Sequence, residues 1–400
     1  MPGSPASAWV QDLKNYPGLN EELGSLFGKL QSEVQVPPVR GQSKLLPLLP
    51  NNTLFYAAFP NYGEAAGQAL NVFRNELQHN ASLRDWWQHG QLTKNGPIIE
   101  QSLDKFSQLS QYLGDEIVVS GDAGSSDGKL LLIAEVRKPG LKQFVQEMLK
   151  ENSSKWNTNW RVFDSQELAK ADDQTTGQGI VVLVRPDLVI AGANVAALRT
   201  FDSMLQTNSR QFASTPFGQR LTQAYQRGAS ILIAADLQNL MKQVPTNSGP
   251  QQDLLARTGF GDMQYLVWEH KSVAGQAAGQ TELSFTRPRH GVASWLGAPA
   301  PMNSLNFVSC GTVASGTLLF KNFAQIFDDI KDLSTYSNPT AWASFNQMQQ
   351  AMNINLRQDL LSHLDGEVTL DIEKVALPRQ YGRLFCGSII LGLCSKLSTN

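Results

Sequence analysis

Cysteine is nearly absent. The three present, Cys310, Cys386 and Cys394, show no C-x-x-C spacing. That excludes a disulfide framework and a paired-cysteine metal motif, and it leaves the redox compartment open. An excess of one charge is missing too: 33 Lys and Arg stand against 35 Asp and Glu, a formal net charge of −2. A nucleic acid or an anionic membrane as main partner needs a basic face, so both are set aside. No apolar run approaches the ~18 residues of a membrane-spanning helix. The opening Met1-Pro2-Gly3-Ser4-Pro5 has neither the charged nor the apolar region of a signal peptide. It does not read as a natural beginning, so an upstream segment is expected.

Chemical signatures are equally sparse. The chain carries no nucleophile elbow, H-E-x-x-H, phosphate-binding glycine loop, dinucleotide fingerprint or zinc spacing. The five histidines (His79, His89, His270, His290 and His363) show no pairing at helical or strand spacing. No metal or cofactor site is assigned.

What is present is an ordinary globular composition, 42% hydrophobic and 17% charged, long enough for two or three domains or one elaborated core. Trp9 to Val34 has apolar residues mostly three and four apart, an amphipathic helix broken at Pro17-Gly18. Pro37-Pro38 stops it, and the polar stretch to Lys44 reads as a linker. A strand is expected over 53–59, then helices over 64–77, 83–87 and 98–113. Strands over 116–120 and 130–136 form a hairpin, and a helix starts after Pro139-Gly140. The hairpin-then-helix unit recurs over 180–205, with Arg185-Pro186-Asp187 at its turn and Asn194 as cap. A helix over 217–225, a strand over 231–234, a short helix over 237–241, a loop over 245–250 and a hairpin over 263–286 follow. The stretch 291–301, ending Ala298-Pro299-Ala300-Pro301, reads as a boundary.

Beyond it the pattern restarts. Asn303-Ser304-Leu305-Asn306-Phe307 echoes Asn52-Thr53-Leu54-Phe55-Tyr56, Phe323 to Ile330 echoes Leu70 to Leu77, and His363-Leu364-Asp365-Gly366-Glu367 echoes Tyr112-Leu113-Gly114-Asp115-Glu116. Leu305 and Leu364 both stand 251 residues after their counterparts. An internal duplication is the inference. At that spacing a counterpart of Leu130 to Gly140 belongs around 381–391, where Tyr381 to Leu391 has no Pro-Gly. With permissible codons, the same bases read one position earlier encode W-K-I-I-L-R-V-N-N-P-G. A frameshift after about Pro378 is therefore expected, with Arg379 to Asn400 not selected to pack.

Each site candidate has a plainer reading. Ser102-Leu103-Asp104-Lys105 fits the S-x-x-K of serine penicillin-recognising enzymes. Tyr336-Ser337-Asn338 and Arg257-Thr258-Gly259 faintly resemble their other two boxes, in the wrong chain order and with Arg for Lys; a solvated helix face explains the first motif better. Asp122 to Gly128 reads as a hairpin loop rather than a calcium loop. Trp86 and Trp87 point about 100° apart on a helix, so one could belong to the core and the other cap a groove or a partner contact, but core packing alone is the plainer reading. Asp115-Glu116 and Asp365-Gly366-Glu367 read as turn formers rather than acid–base pairs.

Leu49-Pro50-Asn51-Asn52-Thr53-Leu54-Phe55-Tyr56, Leu83-Arg84-Asp85-Trp86-Trp87, Tyr112 to Glu116 and Pro299-Ala300-Pro301 together resemble the uncharacterised bacterial envelope proteins grouped as domain of unknown function 3352. The resemblance spans most of residues 45 to 375 and implies an envelope location. It supplies no active site. The expected fold is α+β: antiparallel sheets of hairpin-plus-helix units, helices on one face, duplicated, the second copy incomplete. The expected division is a helical arm and linker (1–44), a first repeat (45–290), a linker (291–302) and a truncated second repeat (303–400). The expected function is a non-catalytic binding or scaffold protein with a protein partner. The alternatives are a carrier of an apolar ligand between sheet and helices, and a serine hydrolase using Ser102 and Lys105.

Overall fold

The computed structural model describes residues 5–90, 96–122, 129–151, 159–172, 179–207, 211–243, 249–273, 276–298, 300, 301, 303–309, 312–364 and 366–373. The proposed frameshifted tail and the loop after Asp122 lie outside them. The chain divides into two units, residues 1–243 with 265–283, and residues 244–264 with 284–400.

In the first unit, helices α1 (Pro5–Asn15) and α2 (Leu19–Glu33) precede strand β1 (Phe55–Pro60). Helices α3 (Gly63–His79), α4 (Ala81–His89) and α5 (Gly96–Ser110) lead to strands β2 (Leu113–Asp122) and β3 (Lys129–Val136). After them come α6 (Leu141–Glu151), β4 (Asn159–Phe163), α7 (Ser165–Lys170), β5 (Gly179–Val184), β6 (Leu188–Gly192), α8 (Val195–Thr207), α9 (Pro216–Gln226), β7 (Ile231–Asp236) and α10 (Leu237–Gln243). Helix α11 (Gly249–Thr258) belongs to the second unit, and the strands β8 (Met263–Val273) and β9 (Gln276–Phe285) complete the sheet of the first.

The nine strands lie in the order β4-β5-β6-β3-β2-β1-β7-β8-β9. β4 and β5 are parallel, and the pairs from β5–β6 through β7–β8 are antiparallel. The α+β class is therefore as expected, but the helices are not confined to one face. Successive strand residues point to opposite sides. Leu183 and Ile190 pack with Leu198, Phe201 and Leu205 of α8, whereas their neighbours Val182 and Val189 pack with Leu141 and Val145 of α6. The run Ile180-Val181-Val182-Leu183-Val184 is apolar at every position because both of its faces are covered.

The N-terminal helices are built into this unit. Pro17-Gly18 breaks them as read, with Gly18 at φ 85°. Leu19 and Leu26 of α2 join Leu83 and Trp86 of α4 in a separate core, and Trp86 Nε1 donates to buried Asp12 at 2.9 Å. The linker is a strap: Arg40 and Ala229 exchange two backbone hydrogen bonds, both 3.0 Å.

In the second unit, β10 (Thr312–Leu319) pairs antiparallel with β11 (Glu367–Glu373), and α12 (Phe323–Ser337) and α13 (Pro339–Met352) lie between them in sequence. The order strand–helices–strand matches β1 to β2, but the constant spacing of 251 does not hold. Ser304–Phe307, in the segment that echoes Asn52 to Tyr56, form a turn of 3-10 helix, and the strand begins at Thr312. Glu367 accounts for the turn, since its carboxylate accepts from the backbone N–H groups of Asn303 (3.1 Å) and Ser304 (2.8 Å). The expected linker 291–302 starts as structure too: Gly291–Ser294 is a 3-10 turn with Ala293 and Ser294 buried.

Candidate functional site

The S-x-x-K motif lies along α5. Ser102 donates its hydroxyl to Ile98 O at 2.7 Å, one turn back on its own helix, and Lys105 reaches Glu151 of α6 at 2.7 Å. Ser102 is exposed, and neither group is held toward the other by these bonds. The other two boxes belong to the second unit and come together there. The Arg257 guanidinium lies over the Tyr336 ring at 4.4 Å and pairs with Asp332, while Tyr336 donates to Asp253 at 3.1 Å. This is a stack of ion-paired surface groups around α11 and α12.

Trp86 is the core member of the pair, and the less buried Trp87 finds its contact within the chain. It packs edge-on against Phe73 at 4.7 Å and donates to Glu100 of α5 at 2.7 Å. Among the described residues, no group of three His, Cys, Asp or Glu could hold a metal ion. His290 is oriented by Ala256 O at 2.9 Å and faces Asp262 at 3.4 Å.

Glu116 is not a turn former. It is buried at the heart of the sheet, where its Oε1 accepts from Tyr225 at 2.6 Å and lies 3.0 Å from Arg40 Nη1, and its Oε2 accepts from Ser43 at 2.6 Å. Tyr225 and Tyr56 share a 2.7 Å hydroxyl contact, and Arg40 Nη2 also donates to Ser230 O at 2.6 Å. Burial, then the nearby Glu116 carboxylate, raises the Tyr56 pKa; burial, then Tyr56 and Glu116, raises that of Tyr225. Both hydroxyls therefore stay protonated. A buried carboxylate held by Arg, Ser and Tyr fixes the strap to the sheet. Glu367 plays a similar part in the second unit, accepting from the Ser304 hydroxyl at 2.5 Å.

The first unit also has a cleft of about 640 Å³ where β3 leads into α6. Val136, Leu141, Val184, Pro139 and Pro186 contribute apolar walls, and Arg137, Lys138, Lys142 and Arg185 bring four cations. Gly140, at φ 95°, makes the sharp turn between Pro139 and the helix, a conformation that side chains with a Cβ resist. The counter-charges mostly stand outside the lining. Arg137 pairs with Asp115, Arg185 with Asp187 and Asp202, and Lys142 with Asp164 and Glu167. Only Glu167 of these acids lines the cleft. Burial opposes the charge on Lys142, but hydrogen bonds to Asp164 and Glu167 outweigh it and leave the pKa raised. Asp164 also caps α7, accepting from Gln166 and Glu167 N–H, while Glu167 accepts from Asp164 N–H: a reciprocal capping box.

Ion pairing does not exhaust these donors. Lys142 has three N–H bonds and gives two; Arg185 has five and gives two to carboxylates. Lys138 gives one to Gln111 at 3.3 Å and lies 4.4 Å over the Tyr112 ring. The cleft therefore presents many donors and few acceptors, suited to a ligand that brings acceptors. Sequence reading passed over it because its cations come from two separate turns, 137–142 and 185–186. The recurring feature of those turns, a basic residue followed by Pro, was the available signal.

The chain was compared with protein-family models, curated proteins and solved structures, and none of the three matches it.

Proposed function

We propose that this is a non-catalytic binding or scaffold protein of the bacterial cell envelope, and that the cleft between β3 and α6 receives acidic side chains of a protein partner. The observation that carries this reading is the convergence of Arg137, Lys138, Lys142 and Arg185 on one cleft with a single lining carboxylate. Their charges are largely balanced by acids behind them, so the attraction is short-ranged. It comes from charge-assisted hydrogen bonds of about 1.5–3 kcal/mol each before ordering costs. The envelope location rests on the resemblance of the Leu49–Tyr56, Leu83–Trp87 and Tyr112–Glu116 segments to known envelope proteins.

Two observations support binding over the other readings. Ser102 and Lys105 direct their polar atoms to Ile98 and Glu151, which takes away the hydroxyl–amine pair a hydrolase would use. The space between the sheet and α8 and α9 is occupied by fully buried Tyr56, Tyr225, Phe212, Leu183 and Ile190, where an apolar cargo would have to sit.

The test is fluorescence anisotropy of a labelled glutamate-rich peptide titrated with the full chain, with the R137E/K138E double variant as control. Both residues are exposed, so the fold tolerates the change. Binding weakened at least about tenfold in the variant and by added salt is expected. Equal binding by both proteins, or none by either at millimolar concentration, refutes the cleft as the site.

A further inference from the structure

The two ends of the nine-stranded sheet are unlike. β4, at one end, is five residues long and is packed by α6 and α7. β9, at the other, runs ten residues, Gln276–Phe285, with the sequence Q-A-A-G-Q-T-E-L-S-F. A terminal strand offers a row of backbone donors and acceptors to any passing strand, and proteins usually blunt such an edge with Lys, Pro, a bulge or a short length. β9 has no Lys, Arg or Pro, and its only charge, Glu282, is taken by Arg220 of α9. Ala277, Ala278, Gly279, Gln280 and Thr281 are all exposed, so the first half of the strand is open on both faces.

We propose that two copies of this chain join through β9, pairing antiparallel across a two-fold axis so that two nine-stranded sheets become one. Self-complementarity is what selects a second copy. An antiparallel edge meets its own copy in register about any two-fold centre. Centred between Gly279 and Gln280, the pairing sets Ala278 opposite Thr281 and Ala277 opposite Glu282. No like charges face each other, and small residues let the backbones approach. The polar ends of Gln280 and Thr281 supply cross-strand hydrogen bonds in place of an apolar core. Such an interface is at the small end of specific contacts, so association in the micromolar range or weaker is expected.

Sedimentation velocity of the full chain from about 1 to 300 μM, spanning that affinity range, tests this. A dimer should grow with concentration. Replacing Gly279 and Gln280 together by Lys (G279K/Q280K) should weaken it at least about tenfold, by setting like charges opposite one another. Gly279 tolerates the side chain, because a Cβ there would lie 3.9 Å from its nearest neighbours and its φ is not positive. A second pair, A278K/T281K, places lysines opposite each other at exposed positions and should act alike. Unchanged circular dichroism shows that the fold survives. A chain that stays monomeric throughout, or a dimer that both double variants leave intact, overturns the proposal.

Discussion

Replacing Glu116 by Ala should be far more costly than removing the Tyr225 hydroxyl. The carboxylate holds three groups at 3.0 Å or less: Arg40 Nη1, Tyr225 Oη and Ser43 Oγ. Tyr225→Phe keeps the ring packing and removes one bond to a charged acceptor, worth about 1.5–3 kcal/mol. Arg40 and Ser43 still satisfy Glu116, so the lower end is expected. Glu116→Ala instead strands a mostly buried guanidinium, whose side chain is 12% exposed. Breaking a buried pair from one side costs about 3–5 kcal/mol. With a urea slope of about 1–3 kcal/mol per molar, the unfolding midpoint of the first unit falls by roughly 1–5 M. The double change Arg40→Met with Glu116→Leu removes both charges and should recover part of the loss. Recovery is incomplete because Arg40 also donates to Phe59 O and Ser230 O. Urea titrations of the three variants, read by circular dichroism, settle the matter. A midpoint shift below about 0.3 M for Glu116→Ala, well under the buried-pair expectation, would show that the network does not anchor the strap.

The two buried tyrosines set an alkaline limit. Their folded pKa values lie above those of the unfolded chain, so their contribution to stability is intact below about pH 10 and is lost as pH rises beyond it. Spectroscopic titration of the phenolates should show Tyr56 and Tyr225 ionising only together with loss of structure; early ionisation of all eight tyrosines contradicts their burial. Gly218→Ala in α9 tests close approach against helix propensity. Propensity alone predicts a gain of up to about 1 kcal/mol. The new methyl would sit 2.0 Å from Phe212 O, however, so a loss of about 3 kcal/mol is expected, measured as a lowered melting temperature.

Local pattern and distant partnership were unequally legible. The helix break at Pro17-Gly18, the hairpins β2–β3 and β5–β6, and the start of α6 after Pro139-Gly140 each follow from residues within one turn of one another. Strand β4 and helix α7 were missed, although Asp164 and Glu167 stand three apart as a capping box requires. The covering of both sheet faces was legible in the unbroken apolar run of β5 and was read past. The Glu116 network was not legible at all. Its members come from the strap, β1, β2 and α9, and Tyr225 lies 109 positions from the carboxylate it bonds. A lone Glu after Gly-Asp reads as a turn until the fold places Arg40 beside it. The spacing of 251 failed at Leu305 for a related reason: Glu367 captures the preceding N–H groups and turns a strand-like sequence into a helical turn.

The strap has a consequence for the order in which the chain assembles. Arg40 reaches the carbonyl of Ser230 across 190 positions of sequence. During synthesis α1 and α2 emerge before the sheet, and Arg40 can meet Phe59 and Glu116 early, but its bonds to Ala229 and Ser230 wait until the start of β7 has been made. Closing so long a loop is slow, because its entropy must be lost before the contact rewards it. The strap's bonds to Ala229 and Ser230 can therefore form only after the chain has been made as far as the start of β7.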